Sequence, residues 1–224
     1  MSRELENALT ALGEQRAEIA ARTTSGFSTR LATLRRWQAT RIRAIHQPIA
    51  DRHDGAPLLD FLTRRFYLEA DWSELTARPE RVAARIHRIL SDDRPLVIAV
   101  QLQHSADALD VRMTHALTAR DTTGVITPSA YVRAFREVGE LEQRERQIAG
   151  LEELVELLAG YAHNRGAYWA FKLAGGPARA LGMGQTYRLL ADGFAAMRAT
   201  RDLPGATQAA ALAQHRLLTR LLNT

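Results

Sequence analysis

Apolar side chains recur at three- and four-residue steps along almost the whole sequence, the spacing that lines one face of an α-helix. Leu5, Leu9, Leu12 and Ile19 mark a first such face, which Thr23-Thr24-Ser25-Gly26 interrupt. Phe27, Leu31, Leu34, Trp37, Ile42, Ile45 and Ile49 mark a second, with Pro48 near its end. Leu58–Leu68 reads as a third helix, and Asp71-Trp72-Ser73-Glu74 as a turn in which Asp71 or Ser73 supplies a cap. Pro79 suits the first turn of the next helix, whose apolar face is Val82, Ile86, Ile89 and Leu90. Ser91-Asp92-Asp93-Arg94-Pro95 ends it, and Asp121-Thr122-Thr123-Gly124 is a loop. Thr127-Pro128 opens a helix carrying Tyr131, Phe135 and Val138, Gly139 permits a bend, and helical spacing resumes from Leu141 to Ala162. Gly175-Gly176-Pro177 reads as a corner rather than a phosphate loop, since no Lys-Ser/Thr follows it.

The segment beginning at Leu96 constrains the arrangement of these helices. Leu96-Val97-Ile98-Ala99-Val100 is apolar on every side and three of the five are β-branched, so a strand is locally conceivable. No second strand exists to pair with it, and a lone strand leaves its backbone unsatisfied. The stretch Leu96–Ala119 is therefore expected to be a central helix buried on more than one face. The sequence predicts an all-α fold, a single-domain multi-helix bundle of eight to ten helices. Residues 1–50 are expected to form an N-terminal helical pair partly packed on a main bundle of residues 56–224.

Composition narrows the function classes. With 224 residues, 46% of them hydrophobic, the chain is long and apolar enough to bury a core. It has no cysteine, which excludes disulfides, thiolate metal sites and Cys nucleophiles. The net charge is +5, and of its 30 basic residues only Lys172 is lysine. The arginines are scattered, with no run above two and no nucleic-acid module, so no nucleic-acid partner is expected. The charged start lacks a signal-type apolar segment and no stretch is long enough to span a bilayer, so a cytoplasmic location and no transmembrane segment are expected.

Chemistry-bearing side chains cluster on the central helix. Gln101, His104, Asp107 and Asp110 supply polar groups there, and His104 and Asp107 share a face. His104 and His115, eleven residues apart, share a direction but stand about 16 Å apart along the axis and are too distant for one ion. No Glu-x-x-His occurs, so a di-iron bundle is not expected. A metal held by His104, Asp107 and acids of another helix is a minor alternative. Trp37, Tyr67, Trp72, Tyr131, Tyr168 and Trp169 are expected core residues that could also wall an apolar pocket. In the charged run Arg144-Glu145-Arg146 both signs within three residues point different ways. Glu145, turned inward, would need Arg41 or Arg136 as partner. Tyr168–Met183 is expected to pack in the core rather than on a membrane surface.

Several stretches together carry a family likeness. They are Leu34-Arg35-Arg36-Trp37-Gln38 with Arg41, then Phe61-Leu62, Tyr67 and Asp71-Trp72. Tyr131, Phe135, Arg136, Val138 and Gly139 follow, leading into Arg144-Glu145-Arg146-Gln147-Ile148. Gly176-Pro177-Ala178-Arg179, Gly182 and Gly193-Phe194 complete it. Over roughly residues 31–222 the chain resembles a family of all-helical bacterial, mostly proteobacterial, proteins classed as a domain of unknown function. The resemblance implies the helical fold and one domain, and no catalytic residues.

Two functions are expected from the residues. The first is a noncatalytic binding protein that recognises a protein partner through exposed helix faces, a homodimer being compatible with the same faces. The alternative is a binder of, or enzyme acting on, a small apolar or lipid-like ligand, with a buried pocket along the central helix. Its ligand-contacting residues would be Gln101, His104, Asp107, Asp110, Trp37, Arg41, Tyr67, Tyr131 and Glu145.

Overall fold

A computed structural model of the chain describes residues 3–22, 24–89, 92–119 and 124–223. Met1, Ser2, Thr23, Leu90, Ser91, the Arg120–Thr123 part of the expected loop, and the side chain of Ile89 lie outside the described residues. Regular structure among the described residues is helical, without strands. The α-helices are α1 (Arg3–Arg22), α2 (Ser25–Arg52), α3 (Ala56–Asp60), α4 (Ser73–Thr76), α5 (Pro79–Ile89) and α6 (Arg94–Thr118). They continue with α7 (Pro128–Val138), α8 (Leu141–His163), α9 (Arg165–Leu173), α10 (Gly175–Ala180), α11 (Gly184–Ala199) and α12 (Leu203–Asn223). Leaving out the short α3, α4 and α10, nine helices remain among the described residues, within the eight to ten expected.

The axis of the bundle is α6. Pro95 sits in its first turn, and Asp92 Oδ1 accepts the Arg94 N–H at 3.0 Å. Every residue from Leu96 to Val100 is buried, in one cluster with Leu5, Leu9 and Leu12 of α1 and Val82, Ala83 and Ile86 of α5. Beyond that half, α7 covers the C-terminal part of α6, where Met113 and Ala116 pack with Tyr131 and Phe135. The helix is buried on several faces because each neighbour brings a single apolar stripe that needs covering.

The first two helices depart from the expected pair. Each packs on α6 instead of chiefly on the other. Along α1, Leu5, Leu9 and Leu12 join the Leu96–Val100 cluster and Arg16 reaches Asp107, while α2 runs the opposite way, from Phe27 against His115 to Arg35 at Asp110. The physical reason is that α6 offers apolar surface on more than one side.

Two further expectations are corrected. The third helix is not one α-helix, because α3 gives way to a π-helical segment at Phe61–Phe66, where the Tyr67 N–H reaches back five residues to Leu62 O at 3.2 Å. The Tyr168–Met183 stretch is only partly core: Ala178 and Met183 are buried, whereas Trp169 is 62% and Leu173 76% exposed. Helix α9 packs chiefly on α8 and α10, so its outer face stays uncovered, and the Lys172 ammonium lies 5.2 Å and 5.7 Å from the Tyr168 and Trp169 rings.

Contacts distant in sequence tie the elements together. The Glu74 carboxylate of α4 accepts N–H bonds from Gln185 and Thr186, capping α11 from outside. Among the described residues no helix is long and apolar enough to cross a membrane. Where α11 crosses the π segment, a Cβ on Gly193 would stand 2.8 Å from the Phe61 ring. Gly193→Ala is therefore expected to destabilise the fold by about 1–3 kcal/mol, read as a lowered denaturant midpoint at constant slope.

Candidate functional site

A cavity of about 370 Å³ lies between two of the apolar clusters. Its walls come from α2, α3 with the π segment, α6, α7, α8 and α12, and it is partly open to solvent. Most of the lining is hydrocarbon, from residues such as Ile42, Leu62, Leu109, Met113, Leu151 and Leu217. One end belongs to the cluster of Tyr131, Phe135 and Leu218, the other to that of Leu58, Val155 and Leu203. Space of this size is unusual in a close-packed interior.

Beside the cavity a polar network holds α1 and α2 against α6. Asp107 and Asp110, one turn apart on α6, are both buried. Asp107 accepts from Arg16 Nε at 2.8 Å, Arg35 Nη2 at 2.7 Å and Gln103 Nε2 at 2.8 Å. Asp110 accepts from Arg35 Nε at 3.0 Å, Gln38 Nε2 at 2.7 Å and the Tyr67 hydroxyl at 3.0 Å. The Tyr131 hydroxyl donates to Gln38 Oε1 at 3.0 Å, which extends the network to α7. Burial pushes the Asp110 carboxyl up from its ordinary value, against the pull of Arg35, Gln38 and Tyr67. Three donors converge on its oxygens, so the ionised form is the one this geometry holds. Burial works against the Arg35 cation, yet the adjoining Asp110 and Asp107 charges hold its pKa above normal. Burial, reinforced by the Asp110 charge, keeps Tyr67 protonated.

Two more guanidiniums line the same end of the cavity. The Arg41 guanidinium lies 5.0 Å from the Tyr131 ring centre and 5.9 Å from that of Trp37. That of Arg144 stacks 3.8 Å from the Phe135 ring centre, and its Nε donates to Gly139 O at 2.9 Å. The Nη2 of Arg144 is buried without a hydrogen-bond partner. Among the described residues no carboxylate forms an ion pair with Arg41 or Arg144. Burial lowers the Arg144 pKa, partly offset by Tyr131, Asp110 and Glu140, the last of these ion-paired to Arg112. Elsewhere in the wall His46 Nε2 lies 2.6 Å from Gln214 Nε2, and His46 Nδ1 is buried without a partner.

Of the nine residues expected to contact a ligand, Asp110, Arg41, Tyr67 and Tyr131 line the cavity. Trp37 stands behind them, its ring centre 4.4 Å from that of Tyr131. The other four do not line it. Gln101 is exposed, the first exposed residue of α6 after the buried run Leu96–Val100. His104 is half-buried and outside the lining, and Asp107 spends its oxygens on two arginines and a glutamine. Glu145 faces solvent, whereas its neighbour Arg144 turns inward, since its guanidinium can stack on Phe135 and a carboxylate finds no such surface. Of the expected aromatic wall, Trp72 lies in the cluster around Leu96–Val100, and Tyr168 and Trp169 lie on α9. Among the described residues no group of three or more His, Asp or Glu is placed to hold a metal ion.

The residues that sequence reasoning missed are Arg16, Arg35 and Gln38 as carboxylate partners, and Arg144, His46 and Gln214 in the cavity wall. One signal was present for two of them. Arg35 and Gln38 share the three-residue spacing of Asp107 and Asp110, which fits two helices joined through two successive turns.

Asp107→Ala should destabilise the fold by about 2–4 kcal/mol, the partly exposed Arg16 and Arg35 regaining some hydration, and should leave the cavity intact. Thermal melts paired with ligand titration check both halves. Burial depresses the His46 pKa below 6.5, so the unfolded chain takes up a proton that the folded one refuses. Stability is therefore expected to fall as pH drops below about 6.5, and His46→Leu should flatten that part of a stability–pH curve.

A family model described as a domain of unknown function (DUF8198) matches residues 18–223. No curated protein and no solved structure matches the chain. The match runs from the C-terminal end of α1 to the end of α12 and takes in the whole cavity, so the chain belongs to this domain family.

Proposed function

We propose that this protein binds one small, largely apolar molecule in the cavity beside α6. The supporting observation is the cavity itself, at about 370 Å³ within the usual range of ligand pockets and lined by carbon with a few convergent polar groups. Its volume equals about a dozen waters at ~30 Å³ each, and a mainly hydrocarbon surface gives such waters few partners. An apolar molecule would fill that space and give the lining side chains contacts they otherwise lack. The polar end is held by the ion-paired network, so the wall is formed before anything binds.

Recognition of a protein partner is the second reading, favoured by the exposed Trp169 and Leu173 on α9. If that face mediates self-association, Trp169→Ser with Leu173→Ser should abolish any concentration-dependent rise in sedimentation coefficient.

The cavity reading is tested by filling the space. Ala106 on α6 and Ala210 on α12 both line it. The double variant Ala106→Leu with Ala210→Leu should hold a neutral apolar fluorophore such as Nile red at least about tenfold more weakly than the wild type, with an equal or higher melting temperature. Undiminished binding by the variant, or no saturable binding by the wild type, would overturn the proposal.

A further inference from the structure

The cavity has a polarity of its own, and it bears on which apolar molecule fits. Arg41 and Arg144 both line it near Tyr131 and Phe135. Both are held by aromatic rings and, among the described residues, neither is ion-paired to a carboxylate. One acid in the lining, Asp110, already accepts from Arg35, Gln38 and Tyr67. The Arg144 Nη2 is buried with an unused donor, which costs free energy until an acceptor arrives. The other carboxylate in the lining, Glu152, is eight residues further along α8, about 12 Å from Arg144 along the axis. From Arg144 the lining of α8 continues through Ile148 and Leu151 to Val155, about 16 Å along the axis. The cavity is thus cationic at one end, apolar along its length and acidic at Glu152.

Resting on the cavity reading above, we propose that the ligand is a single-chain anionic amphiphile whose carboxylate or phosphate head meets Arg41 and Arg144 and whose hydrocarbon tail lies along α8 toward Val155. A guanidinium presents paired N–H donors to either head group. In a surrounding of low dielectric that contact is stronger than at the surface, because less water competes. A head group at the other end would meet Glu152 and be repelled, so the orientation is fixed as well as the class.

The test is displacement of Nile red from the full chain at pH 8 by dodecanoate, dodecyl phosphate and dodecanol. Wild-type protein is expected to prefer at least one of the two anions over the alcohol by about tenfold or more. Whichever anion is preferred names the head group. In the double variant Arg41→Met with Arg144→Met the preference should vanish while dodecanol binds as tightly as before, and Arg144→Lys, which keeps the charge, should retain most of it. Circular dichroism confirms that each variant is folded. Equal binding of all three amphiphiles by the wild type, or a full anion preference in the double methionine variant, would overturn the head-group assignment and leave the cavity reading standing. Failure of every amphiphile and of Nile red to bind the wild type would remove both.

Discussion

Two carboxylates one turn apart on α6 have to be matched inside the protein, and meeting that demand organises the helices around them. Asp107 and Asp110 are buried, and an uncompensated charge at such depth costs several kcal/mol. Arg16 comes from α1, Arg35 and Gln38 from α2, and Tyr67 from the end of the π segment. Arg35 touches both acids, so it fixes the height of α2 along α6. Once that height is set, the next turns of α2 carry Arg41, Ile42 and His46 into the cavity wall. The polar network is weak evidence for stability compared with apolar packing, and its clearer effect is to select one register of two helices on a third.

Packing varies along the bundle in a way that suits this division. The cluster around Leu96–Val100 contains many fully buried side chains, with Val100, Leu5, Leu9 and Leu12 at zero exposure. The other two clusters face each other across the open space instead of merging. Small residues make part of the difference, since α12 presents Ala206, Ala210 and Ala211 to the cavity where leucines would close it. Gly150 has the opposite effect in α8. A Cβ there would stand 3.3 Å from Leu102, so its absence lets α8 and α6 approach closely beside the cavity.

How much of this was legible in the sequence depends on whether a feature is local. The helices, the Thr127 cap on Ala130 and the bend at Gly139, where φ is 62°, follow from short-range chemistry and could be read directly. The burial of α6 was also legible, because a segment apolar on all sides has no other stable place. The π segment was not, since its carbonyl pattern depends on how Phe61 and Tyr67 are held by α11 and α6. Nor was the inward turn of Arg144, because a guanidinium over a phenyl ring depends on which helix lies opposite. The exposure of Gln101 was not legible either, because the apolar stretch around it gives no direction to its single polar member. The residues that carry the family likeness include Arg35, Gln38, Arg41, Tyr67, Tyr131, Phe135 and Arg144, scattered over more than a hundred positions. They meet at the polar end of one cavity.

The Gln38 side chain gives that end a sense of direction. Its amide nitrogen donates to Asp110 and to Tyr67, and its oxygen accepts from Tyr131. Rotating the amide by half a turn would set oxygen against carboxylate and nitrogen against the hydroxyl proton, so only one orientation is tolerated. Every hydrogen between Tyr131 and Asp110 consequently points toward the acid. Each bond polarises the next in the same sense, so the charge of Asp110 on α6 strengthens the Gln38 acceptor that the Tyr131 hydroxyl of α7 meets. One glutamine thus couples the two helices by polarisation as well as by contact.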